Sequence, residues 1–143
     1  MKYNHVGIPT TAHFDGEIPL PHLKVTVSDH QNNPFGIQWQ RYWDGAPYPD
    51  LVKSVAHVAF EVDDLTEAIR DQKVIVAPNS PSTGVLVAMI EVNGAPVELM
   101  QIDHLVRKDL WPSFGAGFVT KFRIEHDAHL GHVDEKDVVL RSA

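Results

Sequence analysis

Alternation of apolar and polar positions runs along most of this chain in short bursts, each ended by Pro, Gly, Asn or Asp. "KYNHVGIPT" alternates and stops at Pro9, and the following "TAHFDGEIPLP" reads as loop. "HLKVTVSD" places Leu23, Val25 and Val27 on one face and His22, Lys24, Thr26 and Ser28 on the other. After the turn chemistry of "HQNNPFG", "IQWQRYW" is a further strand, and "DGAPYPDLVK" reads as a linker. In "SVAHVAFEV", Ala56, Val58, Phe60 and Val62 share one face, while Val55, His57, Ala59 and Glu61 share the other. "DDLTEAIRD" then predicts a short helix, capped at Asp63 or Asp64, with Leu65 and Ile69 on one side. "KVIVAP", "TGVLVAMIEV" and "APVELMQI" predict three last strands, separated by "NSPS" and "NG" turns.

The two halves of this pattern match. "NHVGI" at Asn4–Ile8 parallels "AHVAF" at Ala56–Phe60, and "PFGIQW" at Pro34–Trp39 parallels "GAPVEL" at Gly94–Leu99, which pairs Gln38 with Glu98. His5 and Gln38 stand 33 positions apart and His57 and Glu98 stand 41 apart, a difference that accommodates the short helix of the second half alone. The pattern therefore predicts an α+β fold of two paired β modules, about 1–46 and 54–104, the first without its helix. Such modules meet about a pseudo-twofold axis with a cleft between them.

That arrangement brings chemistry together. His5 and His57 would face each other from the first strands of the modules, and Gln38 and Glu98 from the last. Strand parity puts Val6 and Ile8 opposite His5, and Val97 and Leu99 opposite Glu98. Two imidazoles and a carboxylate are a natural donor set for a borderline divalent ion, with the Gln38 amide oxygen as a weak fourth donor. Gln40 shares the parity of Gln38, so either amide is a candidate. Lys24, Thr26 and Gln40 are candidate substrate contacts on the cleft face.

Charge and composition narrow the partners. A net charge of −7, with twelve scattered basic residues, argues against nucleic acid. The absence of cysteine removes disulfides, thiolate ligands and cysteine nucleophiles. No stretch approaches the ~18 apolar residues of a membrane span, and no basic-then-apolar leader opens the chain. The expectation is a cytoplasmic protein with a small-molecule partner and no membrane contact.

With these residues in view, "HVAFEVDDLTEAI" followed by "VNGAPVELMQ" resembles the second module of the vicinal oxygen chelate superfamily, and the resemblance covers Lys2 to Asp103. That superfamily includes glyoxalase I, extradiol dioxygenases and bleomycin-resistance proteins. The resemblance implies two βαβββ modules forming a cupped mixed sheet around a metal. Its ligand positions carry over onto His5, Gln38, His57 and Glu98, although glyoxalase-type members usually carry Glu where Gln38 stands.

The resemblance implies a metal-dependent lyase or isomerase, using Zn, Ni, Mn or Fe(II) on a small oxygen-chelating substrate. Glu98 would be both ligand and catalytic base. Two alternatives keep the same scaffold. An Fe(II) dioxygenase would use His5, His57 and Glu98 as a facial triad. A metal-free antibiotic-binding protein would use aromatic walls such as Trp39, Tyr42 and Trp43. Residues 105–143 lie outside the modules. "WPSFGAGFVTKF" is expected to pack on a second subunit of a homodimer, and "EHDAHLGHVDEKD", with His126, His129 and His132, is expected to be a solvated tail.

Overall fold

A computed structural model describes residues 1–110 of the chain. The dimer-contact segment and histidine-rich tail expected beyond Leu110 lie outside the described residues. Eight strands form one mixed sheet: β1 (Lys2–Pro9), β2 (Ile18–Leu20), β3 (Val25–Val27), β4 (Ile37–Tyr42), β5 (His57–Glu61), β6 (Val74–Ser82), β7 (Val85–Val92) and β8 (Ala95–Ile102). Helices α1 (Asp50–Ser54) and α2 (Leu65–Ile69) flank β5 in the chain. The sheet curls into a half-barrel, the cupped α+β architecture that the sequence resemblance implies.

Strand order is β2-β3-β4-β1-β5-β8-β7-β6, a palindrome of the two halves about the β1–β5 seam. The seam is antiparallel and pairs His5 with Ala59 and Gly7 with His57. On its two sides run parallel pairs, Gly7 with Gln38 and Ala59 with Glu98. The residues matched between the halves thus occupy equivalent registers. Between β1 and β2 there is no helix; Glu17 ties that loop to Arg41 of β4 through a paired salt bridge (Nη2 to Oε2 3.1 Å).

The second half follows local chemistry closely. Asp64 caps α2, its carboxylate accepting from the Glu67 N–H at 3.1 Å. Asn93 and Gly94 both take positive φ, 50° and 78°, the geometry of a two-residue type I′ hairpin between β7 and β8. Leu65 of α2 packs with Ala88, Ile90 and Leu99 on the outer face of the sheet, edged by Phe60, Val62 and Val97. Burying that leucine side chain contributes about 2 kcal/mol. On the inner face Ala59, Val85, Val87, Met100 and Ile102 form a second cluster, against which Leu110 packs.

Four segments differ from the sequence pattern, the first being "DGAPYPDLVK", which reads as a linker but runs into helix α1 at Asp50–Ser54. "HLKVTVSD" is not one strand: Pro21–Leu23 is a 3₁₀ turn and Lys24 adopts φ 51° before β3 begins. Its partner β2 lies in the stretch that reads as loop, because antiparallel pairing to Val25–Val27 outweighs the low propensity of "IPL". "NSPS" is not a turn but the end of β6, an edge strand whose several register shifts absorb Pro78 and Pro81; the turn falls at Thr83–Gly84.

Candidate metal centre

The site lies on the inner face, across the β1–β5 seam. A register shift between Tyr3 and His5 places Asn4 and His5 both in the interior, where strict alternation would bury only one. The consequence is local. The Asn4 amide oxygen stands 2.7 Å from His5 Nδ1, so that nitrogen carries the proton and donates it. His5 Nε2 is left as a lone-pair donor facing inward.

His57 is held differently. Its ring lies over Gly7 of the neighbouring strand, where a Cβ would stand only 2.1 Å from Cε1. The small residue repeated after each histidine is therefore a packing requirement at position 7. His57 and His5 are each 1% exposed, with ring centroids 5.7 Å apart in an edge-to-face arrangement.

Glu98 completes the set from β8. Its Oε2 lies 2.9 Å from His57 Nε2 and 3.8 Å from His5 Nε2, and its side chain is 12% exposed. One donor atom from each of the three residues falls within 4.8 Å of the others. Although the His57 contact is short, its direction is not that of a hydrogen bond: His5 Nε2 and both ring nitrogens of His57 are buried without a hydrogen-bond partner among the described residues. Buried imidazole nitrogens without partners are costly, and ligation of a shared cation by His5 Nε2 and His57 Nε2 would satisfy two of the three. The group fits a divalent ion in number, type and spacing of donors, and it could hold one.

The electrostatics agree with that reading. Burial pushes the His5 imidazole down to about 3, against a smaller opposing pull from Glu98, so it is neutral near pH 7. Burial alone would raise the Glu98 carboxyl, but His57, and then the charges of His5, His57 and His30, hold it below the usual carboxylate range. A neutral His5 imidazole beside an ionised Glu98 carboxylate is the pair of protonation states a metal needs.

His30 is a residue that the sequence pattern does not mark. It stands in a 3₁₀ turn at His30–Asn32 opened by an Asp29 cap, inside the "HQNNPFG" turn chemistry, and it stacks on His5 with centroids 4.5 Å apart. Burial lowers its pKa, against the charges of Asp29 and Glu98. Nothing in a local turn motif announces an inward ring; contact with His5 depends on the curl of the sheet.

A cavity of about 130 Å³ opens above the three residues and is lined by side chains of both halves of one chain. Gln38 and Gln40 line it, as parity predicts. The Tyr42 hydroxyl donates to Gln40 Oε1, and Gln40 Nε2 donates to Gln38 Oε1, each at 2.9 Å. Gln38 thus presents to the cavity an oxygen already engaged and an N–H pair without a partner among the described residues.

Lys24 and Thr26 are placed elsewhere. The Thr26 hydroxyl accepts from Trp43 Nε1 at 2.8 Å on the outer face, and exposed Lys24 stands on an outer groove shared with Leu23, Tyr48, Val76 and Asn79 of the cavity wall. The polar face of "LKVTV" is thus the outer one, and its valines line the cavity. Trp39 and Trp43 also lie off the cavity wall, each 37% exposed.

Fold and site together define a cupped eight-stranded sheet with a buried group of two histidines and one carboxylate at its central seam. No family model and no curated protein matches this chain. Among solved structures, a hypothetical protein from Bacillus halodurans C-125 is similar to it, with a TM-score of 0.52 and 16% identity over 71% of this chain and 94% of that one. At that identity the likeness shows a shared fold.

Proposed function

We propose that this chain is a metal-dependent lyase or isomerase for a small substrate with two neighbouring oxygens. The observation that carries the reading is the convergence of His5 Nε2, His57 Nε2 and Glu98 Oε2 at the floor of a cavity, with the imidazole nitrogens left unsatisfied. The sequence resemblance to vicinal oxygen chelate enzymes supports it.

His5, His57 and Glu98 would hold the ion. A divalent cation there supplies a Lewis acid that stabilises negative charge developing on a substrate oxygen. The protein's own work is positioning and proton transfer. Asn4 fixes the His5 tautomer, Gly7 admits the His57 ring, and the apolar walls limit water. Glu98, kept ionised, takes a proton from carbon beside a carbonyl and returns it to the neighbouring position.

A second reading keeps the same donors: two histidines and one carboxylate also form the facial triad of Fe(II) oxygenases. Stripping the protein with chelator and adding back Zn, Ni, Mn or Fe(II) tests both. The expected result is about one ion per chain, lost in His57→Ala. Selectivity for Fe(II) with dioxygen uptake would favour the oxygenase. Absence of binding, or binding that survives His57→Ala, would overturn the centre.

A further inference from the structure

The cavity has a chemical bias of its own. Its walls are largely apolar, with Leu20, Val25, Val27, Val87, Met89 and Met100 around the space. No Lys or Arg lines it among the described residues, and its one carboxylate, Glu98, is committed to the two histidines. At about 130 Å³ it matches the scale of the roughly 150 Å³ apolar cavity that admits benzene. Pockets for drug-sized ligands run to ~300–1,000 Å³. Away from the ion proposed at its floor, an anionic group in this space would lose its hydration with no cationic side chain to replace it.

The polar atoms add direction. In the chain from Tyr42 through Gln40 to Gln38, every donor points the same way. It therefore ends in the Gln38 N–H pair, a donor that calls for an acceptor on the ligand. The parallel register sets Gln38 beside Gly7, and the antiparallel register sets His57 on that glycine's other side. The amide thus stands on the strand flanking the histidines, as Glu98 does in the other half.

We propose that the part of the substrate entering this cavity is uncharged and no larger than one six-membered ring, and that its carbonyl oxygen accepts from the Gln38 N–H. This rests on the metal centre proposed above and goes beyond it by excluding head groups that carry phosphate, phosphonate or a free carboxylate. The same carbonyl oxygen, through its other lone pair, and the hydroxyl beside it remain free to meet the ion. Gln38 is then an oxyanion-holding donor rather than a ligand, the role its pseudo-equivalence to Glu98 would not suggest.

Two hydroxypyranones test it. Allomaltol and comenate share one ring and one hydroxy-ketone pair, and differ by a methyl group against a carboxylate. Each is titrated calorimetrically into the full chain loaded with Zn, and affinities are corrected for each probe's affinity for free Zn. Allomaltol is expected to bind about tenfold or more tightly than comenate, the scale of one uncompensated buried charge-dipole mismatch. Gln38→Leu, or Gln38→Met where the first fails to fold, is expected to weaken allomaltol about tenfold while leaving Zn affinity unchanged.

Comenate binding as tightly as allomaltol would overturn the charge selection, and a Gln38 variant with unaltered allomaltol affinity would overturn the donor role. A Gln38 variant that loses Zn would make it a ligand and overturn the donor role equally. In all three cases Zn binding by the parent chain leaves the metal centre standing. Failure of the parent chain to take up any of Zn, Ni, Mn or Fe(II) would overturn the centre and this selection with it.

Discussion

Gly7 and His57 share one volume: a Cβ on residue 7 would sit 2.1 Å from Cε1 and 2.5 Å from Nε2 of the imidazole. The backbone of β1 is the floor on which that ring lies. Gly7→Ala must therefore move the ring or part the β1–β5 seam. The expected outcome is destabilisation by ~1–3 kcal/mol from overpacking. Metal affinity falls by about 100-fold, because the donor atom is displaced from its partners. Thermal unfolding paired with a metal titration checks both. A variant with parental affinity would show that His57 is not held as described.

Asn4 controls the other ring. Its amide oxygen holds the proton on His5 Nδ1 and so leaves Nε2 free. Asn4→Ala is expected to lower metal affinity by ~10–100-fold, the usual effect of losing an outer partner of a ligating histidine. Asn4→Asp keeps the acceptor oxygen and is expected to recover most of that loss. If both variants bind metal equally, the tautomer is set by something else.

Acid should loosen the metal-free protein. His5 titrates at about 3 when folded, against an ordinary 6.5, so the unfolded chain takes up the proton first. Its contribution to stability is complete above pH 6.5 and declines as pH falls toward 3. Glu98, held below its ordinary 4.5, adds a loss of the same sign at the lower end of that range. The urea midpoint of chelator-treated protein is therefore expected to fall steadily from pH 7 to pH 4, and His5→Leu to flatten the slope. A midpoint that rises with acid would contradict the buried neutral imidazole.

How much of this was legible in the chain depends on the distance over which each feature is decided. The α2 helix, the Asn93–Gly94 hairpin and the span of β8 follow from neighbouring residues, and sequence pattern locates them. The internal match of "NHVGI" with "AHVAF" pointed to a two-half sheet because equal registers demand equal residue sizes. Thr26 and Lys24 show where parity alone stops. It separates the two faces of "VTV" correctly, but it cannot say which face meets the cavity, and here the valines do, while Lys24 precedes the strand at positive φ. The pattern assigns the polar side of β3 to the cleft, whereas β3 walls it with Val25 and Val27. His30 was invisible for a different reason: its contact with His5 joins residues from a turn and a distant strand.

The inner face is also closed from the chain's far side. Beyond β8, residues 103–110 fold back so that Leu110 packs on the cluster of Ala59, Val85, Val87, Met100 and Ile102. His104 anchors the segment, facing the Leu110 carbonyl with Nδ1 at 3.1 Å and Glu61 with Nε2. Arg107 ties it to the β6–β7 turn through Ser82 Oγ (2.7 Å) and the Thr83 carbonyl (3.2 Å). Because Leu110 is half-buried, Leu110→Ala is expected to cost about 1 kcal/mol, a fraction of what a fully buried leucine contributes. His104→Leu is expected to cost ~1–3 kcal/mol, since Glu61 Oε1 would then lose its partner and Oε2 already has none among the described residues. Both variants should keep parental metal affinity, because the segment touches neither histidine of the site. Urea denaturation and a metal titration separate the two effects. Loss of metal in either variant would mean that this closure also shapes the centre.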